Sequence, residues 1–193
     1  MGLGSGDTVF INTTFSENIA LEEGGAIYSE TRYAIEHGTF YRNIANNAGG
    51  ALRAFDEVSV GSSVFYENIV NGAFNDFENV IDIRSLGFNF ITSVGMNRIV
   101  ETSTDLLNPT DAERANFGID ELTPNVGSIA SHPLLPNSAL INAGASAETG
   151  NADSRGVIRD AFPDVGAHEA ETASSVYYLL DDQDRVLRGD LFS

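Results

Sequence analysis

Apolar residues in the first half of the chain fall in short alternating runs, each cut off by Gly, Asn or Ser. Val9-Phe10-Ile11, Tyr33-Ala34-Ile35 and Val58-Ser59-Val60 lead into second runs built on Phe15, Phe40 and Phe65. Alternation of β-branched and aromatic residues over so few positions predicts strands, not helices. The runs also repeat. Phe15, Phe40 and Phe65 stand 25 residues apart, and Asn18, Asn43 and Asn68 follow them, each succeeded by Ile19, Ile44 or Ile69. Gly24-Gly25-Ala26-Ile27 returns as Gly49-Gly50-Ala51-Leu52 at the same offset. A fixed period of this size marks units that bury their apolar faces only by stacking on one another. The predicted fold is therefore all-β, a parallel β-helix of 25-residue coils with a C-terminal cap.

Stacking gives each repeated position a task. Phe15, Phe40 and Phe65 fill the coil interior, and Phe90 falls on the same count. Asn18, Asn43 and Asn68 sit at a turn, where a carboxamide bonds both backbone and the amide of the neighbouring coil. The double glycine supplies a φ > 0 corner. Outside, Glu17–Arg42–Glu67 alternates in sign, and Arg32–Glu57–Asp82 forms a second charged column; exposed pairs of this kind fix register more than they stabilise. The third coil breaks the pattern with Phe74-Asn75-Asp76-Phe77 in place of the glycines. Coils are assigned to 1–94, a capping block to 95–171 and a tail or linker to 172–193. Within the block, Thr110 and Glu113 make a capping box for a short helix reaching about Asn116.

Charge narrows the range of partners. The chain carries 28 acidic residues against ten basic ones, all arginine, for a formal net charge of -18. Nucleic acid and anionic membranes both require a basic patch and are excluded as partners. The same charge suits cations, which leaves calcium as a weak cofactor expectation; no other cofactor or metal is expected. Cysteine is absent, so disulfides and thiolate metal sites are too. No stretch approaches the ~20 apolar residues of a membrane span, and MGLGSGDTVF lacks the layout of a signal peptide. Because the first repeat begins almost at once, we expect a piece of a longer chain with further domains.

The Phe-x-x-Asn and Gly-Gly-Ala-Ile repeats resemble those of polymorphic outer-membrane proteins and related bacterial surface passengers, which are right-handed parallel β-helices. The second half resembles the C-terminal block of secreted β-helix proteins of the choice-of-anchor Q type. The matching pieces are Gly87-Phe88-Asn89-Phe90-Ile91, residues 134–144 (LLPNSALINAG), Asp153-Ser154-Arg155-Gly156-Val157-Ile158-Arg159 and Asp164-Val165-Gly166-Ala167-His168-Glu169. Asn137 and Ala139 replace the usual Gly and Pro, and Leu140 is an extra position. The resemblance implies export and display at a bacterial cell surface, and it brings no catalytic motif.

Candidate chemistry is sparse. Asp153, Arg155, Arg159, Asp164 and Glu169 read best as an ion-pair network closing the end of the helix. His37, His132 and His168 share no ligand spacing and read as structural. Asp181-Asp182-Gln183-Asp184 reads as a solvated acidic turn, and Arg188-Gly189-Asp190 as an unremarkable triplet. Tyr28, Tyr41 and Tyr66 flank turns; Tyr41 and Tyr66 follow the Phe column directly, so they point outward and are the candidate sugar contacts. The expected function is non-catalytic adhesion, display, or binding of glycans or a host or matrix surface. A polysaccharide-active lyase, hydrolase or epimerase is the competing reading, disfavoured by acids that alternate with Arg42, by the absence of lysine and by a short run of coils. A calcium-stabilised module is the third.

Overall fold

The computed structural model describes residues 8–170 apart from 80–81, 96–98, 125–128 and 147–150, and also 179–180 and 186–187. The first coil contributes β1 (Thr8–Ile11), β2 (Thr14–Ser16), β3 (Ile19–Ala20) and β4 (Ile27–Ser29). The second repeats them as β5 (Tyr33–Glu36), β6 (Thr39–Tyr41), β7 (Ile44–Ala45) and β8 (Leu52–Ala54). The third has β9 (Val58–Gly61), β10 (Val64–Tyr66), β11 (Ile69–Val70), β12 (Ala73–Phe74) and β13 (Phe77–Asn79). A shortened continuation follows in β14 (Ile83–Gly87), β15 (Phe90–Ile91), β16 (Ile99–Val100) and β17 (Leu106–Leu107), then α1 (Asp111–Ala115). Each strand pairs in parallel with its counterpart in the next coil, so the chain is a parallel β-solenoid.

The predicted columns stack in register. Phe15 lies on Phe40 with ring centroids 4.9 Å apart, and Phe40 on Phe65 at 4.4 Å, nearly coplanar. The Asn column is a hydrogen-bonded ladder. The backbone N–H and Nδ2 of Asn18 both donate to Oδ1 of Asn43, and those of Asn43 donate to Oδ1 of Asn68. Nδ2 of Asn43 also reaches the Phe15 carbonyl, and that of Asn68 the Phe40 carbonyl. The ladder ends on Asp76, which is fully buried and accepts from Asn68 Nδ2 and from the Ser93 amide. Burial pushes its carboxyl up to about 7, against the opposing pull of those donors.

The two glycines of each pair do different work. Gly24 and Gly49 take φ of 65° and 61°, the expected left-handed corner. Gly25 and Gly50 are required by proximity instead: a Cβ on Gly25 would sit 2.0 Å from the carbonyl oxygen of Gly50 in the next coil. Two further corners use left-handed residues that carry side chains. One stacks Asn12, His37 and Ser62, and the other Glu17, Arg42 and Glu67.

The solenoid departs from a simple repeat at two places. Asn71 and Gly72 both have positive φ and turn β12 back antiparallel on β11, which ends that sheet and puts Phe74 where a glycine would repeat. A bulge between Ser85 and Gly87 then adds a residue to β14. As a result Ile91, not Phe90, pairs with Phe65 and enters the core; Phe90 pairs with Val64 and faces outward. The expectation that Phe90 joins the Phe column is corrected by this one-residue shift. Coil pairing also runs past 94, because β16 and β17 add strands to the first two sheets.

The helix forms as its capping box predicts, with Thr110 and Glu113 bonding reciprocally and Asn116 at its end. The described residues after the helix lie beside the coils. They return along the flank as a strap, bonding to the first coil at Asn12 and Ser16, the second at Thr39 and the third at Ser62. The reason is apolar surface: Tyr41, Val64, Tyr66 and Phe90 form an outward stripe on the second sheet, and Phe117, Leu140 and Val165 cover it. Beyond the strap, Leu179–Leu180 pairs antiparallel with Val186–Leu187 as β18 and β19.

Phe40→Ala is expected to cost about 3–5 kcal/mol, the range for truncating a buried aromatic. Asn43→Ala is expected to cost about 1–3 kcal/mol by stranding the donors and acceptors of both neighbouring coils. Urea unfolding followed by circular dichroism measures both, and near-neutral values would contradict the stacked ladders.

Candidate functional site

The charged network lies at the seam between strap and coil. Arg159 is the largest fully buried side chain, 1% exposed. Its Nη1 donates to Glu169 Oε2 at 2.9 Å and to the Asp164 carbonyl, while Nη2 donates to the Gly166 carbonyl and to Oδ1 of Asn12 in the first coil. Glu169 in turn accepts from the amides of Asp164 and Asp160. Asp153 accepts from the amides of Arg155, Val157 and Glu169 and from the guanidinium of Arg155. Burial works against its charge, but these donors hold its carboxyl below the usual carboxylate range. Each carboxylate is saturated from within the protein, and the guanidinium of Arg159 faces fixed carbonyls and Asn12. This is a fastening, as expected, though it fastens the flank of the solenoid and not its end.

All three histidines belong to the same seam. His132 stacks on Tyr41 at 4.2 Å, bonds the Asp120 carbonyl through Nδ1, and bonds Ser16 Oγ through Nε2. His168 Nδ1 pairs with Ser131 Oγ at 2.9 Å. A serine–histidine pair invites comparison with a nucleophile and its base, but Ser131 is 0% exposed, enclosed in the seam. His37 is buried beside Arg159 with neither ring nitrogen in hydrogen-bond geometry, although the carbonyls of Asp164 and Gly166 lie close by. Among the described residues no group of three or more His, Asp or Glu side chains is arranged to hold a metal ion.

Tyr41 and Tyr66, the candidate sugar contacts, pair in register on the second sheet. Both point outward from the coil and stack on one another at 5.7 Å, as their column position predicts. The strap then covers them: Tyr41 is 2% exposed under His132, and Tyr66 is half-buried against Phe117. Short-range alternation correctly placed them outside the coil but carried no information about a segment 90 residues away folding over them.

Two exposed surfaces among the described residues bear on binding. Tyr28 and Phe55 are exposed on the fourth sheet with ring centroids 5.7 Å apart, and the Arg53 guanidinium lies 4.4 Å over the Phe55 ring. Arg53 is oriented there by Glu23, at 3.2 Å, and by the Glu78 carbonyl. Phe55 stands outside the repeated columns; its one signal in the sequence is an aromatic three residues after the repeated Gly49-Gly50-Ala51-Leu52 run. The second surface is a groove of about 370 Å³ along the solenoid axis, lined by Glu17, Arg42 and Glu67 on one side and Ile19, Ile44 and Ile69 on the other. Arg42 bonds Glu67 at 3.1 Å and approaches Glu121 at 3.6 Å. The acidic turn 181–184 and the triplet 188–190 lie outside the described residues.

Fold and surface together define a parallel β-helix repeat protein. Residues 12–30, which hold Phe15, Asn18 and Gly24-Gly25-Ala26-Ile27, match the Chlamydia polymorphic membrane protein repeat, and the second coil carries the same positions as Phe40, Asn43 and Gly49-Gly50-Ala51-Leu52. No curated protein and no solved structure matches the chain. Among the described residues no helix is long and apolar enough to cross a membrane.

Glu169→Ala leaves the Arg159 guanidinium buried without its counter-charge and is expected to cost about 3–5 kcal/mol. Arg42→Ala removes a half-exposed pair and is expected to cost less than about 1 kcal/mol. Comparing the two urea midpoints tests whether the seam, rather than the outer charge column, fastens the molecule.

Proposed function

We propose that this chain is a non-catalytic display module of a bacterial surface protein that binds glycans of a host or matrix surface. The match of its first coil to a polymorphic membrane protein repeat supports surface display. The open aromatic pair Tyr28–Phe55, supported from one side by Arg53, carries the binding reading. Exposed aromatic rings pack against the C–H faces of pyranose sugars, and a guanidinium beside them donates to ring hydroxyls or carboxylates. The rest of the surface fits that use: a net charge of -18 keeps the module soluble and away from anionic lipid.

A glycan array carrying neutral and acidic polysaccharides, followed by titration of the best ligand, tests this. Tyr28→Ala and Phe55→Ala should each weaken binding at least about tenfold while moving stability by no more than about 0.5 kcal/mol, as befits surface positions. Tyr41→Ala should do the reverse, lowering stability at a buried stack. Retention of no glycan, or unchanged binding in both surface variants, sinks the proposal.

A further inference from the structure

The seam between strap and coil collects every histidine in the protein and places each where a proton is hard to accommodate. His37 stands at the left-handed corner of the second coil, 2% exposed, with both ring nitrogens unpartnered. Facing it from the strap are the buried Arg159 guanidinium and the Asp164 and Gly166 carbonyls; its column neighbours on the coil, Asn12 and Ser62, are uncharged. A proton on His37 would set two cations side by side in a buried seam. His168, 7% exposed, faces Arg155, Arg159 and His132, with Asp153 as its acidic neighbour, and spends Nδ1 on Ser131. His132 faces Glu17, Glu121 and Arg42 at a distance and uses both nitrogens on the Asp120 carbonyl and Ser16.

We propose that residues 129–146 and 151–170 form an acid-labile strap, docked on the coil by uncharged histidines and released in the mildly acidic range, baring Tyr41 on the outward face of the second sheet. What is released is identifiable. The strap lies on that face through the Gly166 amide on the Ser62 carbonyl, the Ala167 amide on Thr39 Oγ1 and the Arg159 guanidinium on Asn12. Gly166, with φ of 95°, lies so close that a Cβ would sit 2.7 Å from Thr39 Oγ1. Docking at that range tolerates no swelling of the seam.

Proton linkage gives the direction. Burial, together with Arg159 for His37 and Arg155 for His168, lowers both imidazoles from 6.5 to about 4. A group depressed on docking favours the docked state while neutral, and that advantage is lost as pH falls from 6.5 towards 4. Asp164 acts in the opposite sense, because burial raises its carboxyl from 3.8 to about 6 and docking therefore gains as pH falls through 6. Two imidazoles outweigh one carboxyl: these values multiply the released population by about 50 between pH 7 and pH 5. Asp76 also titrates here but lies inside the coil, away from the seam, so the readout must be local.

Hydrogen exchange at single amides, corrected for the intrinsic pH dependence of exchange, provides it. The Gly166 and Ala167 amides should open about 50-fold more at pH 5 than at pH 7, while the Val64 and Phe90 amides, bonded between coils, keep their protection. His37→Asn places at this corner the residue that occupies it in the first coil, so the backbone is accommodated. The variant should keep the strap docked at pH 7 and cut the acid response by about twentyfold, leaving the part due to His132, His168 and Asp164. Strap amides equally protected at both pH values overturn the proposal. So do strap and coil amides that open together, or an undiminished acid response in His37→Asn.

Discussion

One constraint governs this molecule: each coil must offer its neighbour the same hydrogen-bonding and packing surface that it receives. The Asn18–Asn43–Asn68 ladder expresses it most strictly. A single Oδ1 accepts both the backbone and the side-chain N–H of the preceding coil, so the carboxamide is at once a turn-former and an inter-coil bond. Buried amides left without such partners would each cost on the order of 1–3 kcal/mol. The Phe column and the Gly25–Gly50 contact follow from the same condition, since coils that share hydrogen bonds at one corner are held at strand spacing everywhere. The ladder stops at an acid: Asp76 accepts from Asn68 through one oxygen and from the Ser93 amide through the other.

Where the fold stops being periodic, it changes how it is held. The strap contributes little regular structure and is fixed by a buried polar network reaching from Asp153 to Arg159 and Asn12. Such networks are costly when incomplete and specific when satisfied. This one combines backbone amides, backbone carbonyls and side chains from both partners, so it recognises the shape of the coil corner as much as its charge. The apolar stripe of Val64, Tyr66 and Phe90 supplies the burial, and the network supplies the register.

Features that repeat were legible in the sequence, because a period converts one weak signal into several agreeing ones. The Phe core, the Asn turn, the glycine corner and the sign-alternating column all came from comparing a position with its counterparts. Single events were not legible. The hairpin at Asn71-Gly72 has a turn dipeptide, but one turn dipeptide beside a broken repeat does not distinguish a hairpin from decay of the period. The bulge after Ser85 has no distinctive composition, and it misplaced Phe90. The covering of Tyr41 depends on a pairing with His132 across 91 positions, which no local pattern encodes. Among the open residues, Tyr28 flanks a turn visible in the sequence, while Phe55 and its Arg53 neighbour come together only once the rungs are assembled.

The bulge after Ser85 carries a wider meaning. In a strand, one extra residue exchanges the inner and outer faces of everything downstream until the coil closes, much as an inserted base shifts a reading frame. Here the exchange sends Ile91 into the interior and turns Phe90 out to meet Phe117. A solenoid can thus acquire a lateral foothold for another segment by lengthening a single corner, with no new hydrophobic residue and no break in the ladders beneath it. Insertions of one residue, ordinarily damaging to a sheet, become in this architecture a route by which a repetitive rod gains an individual face.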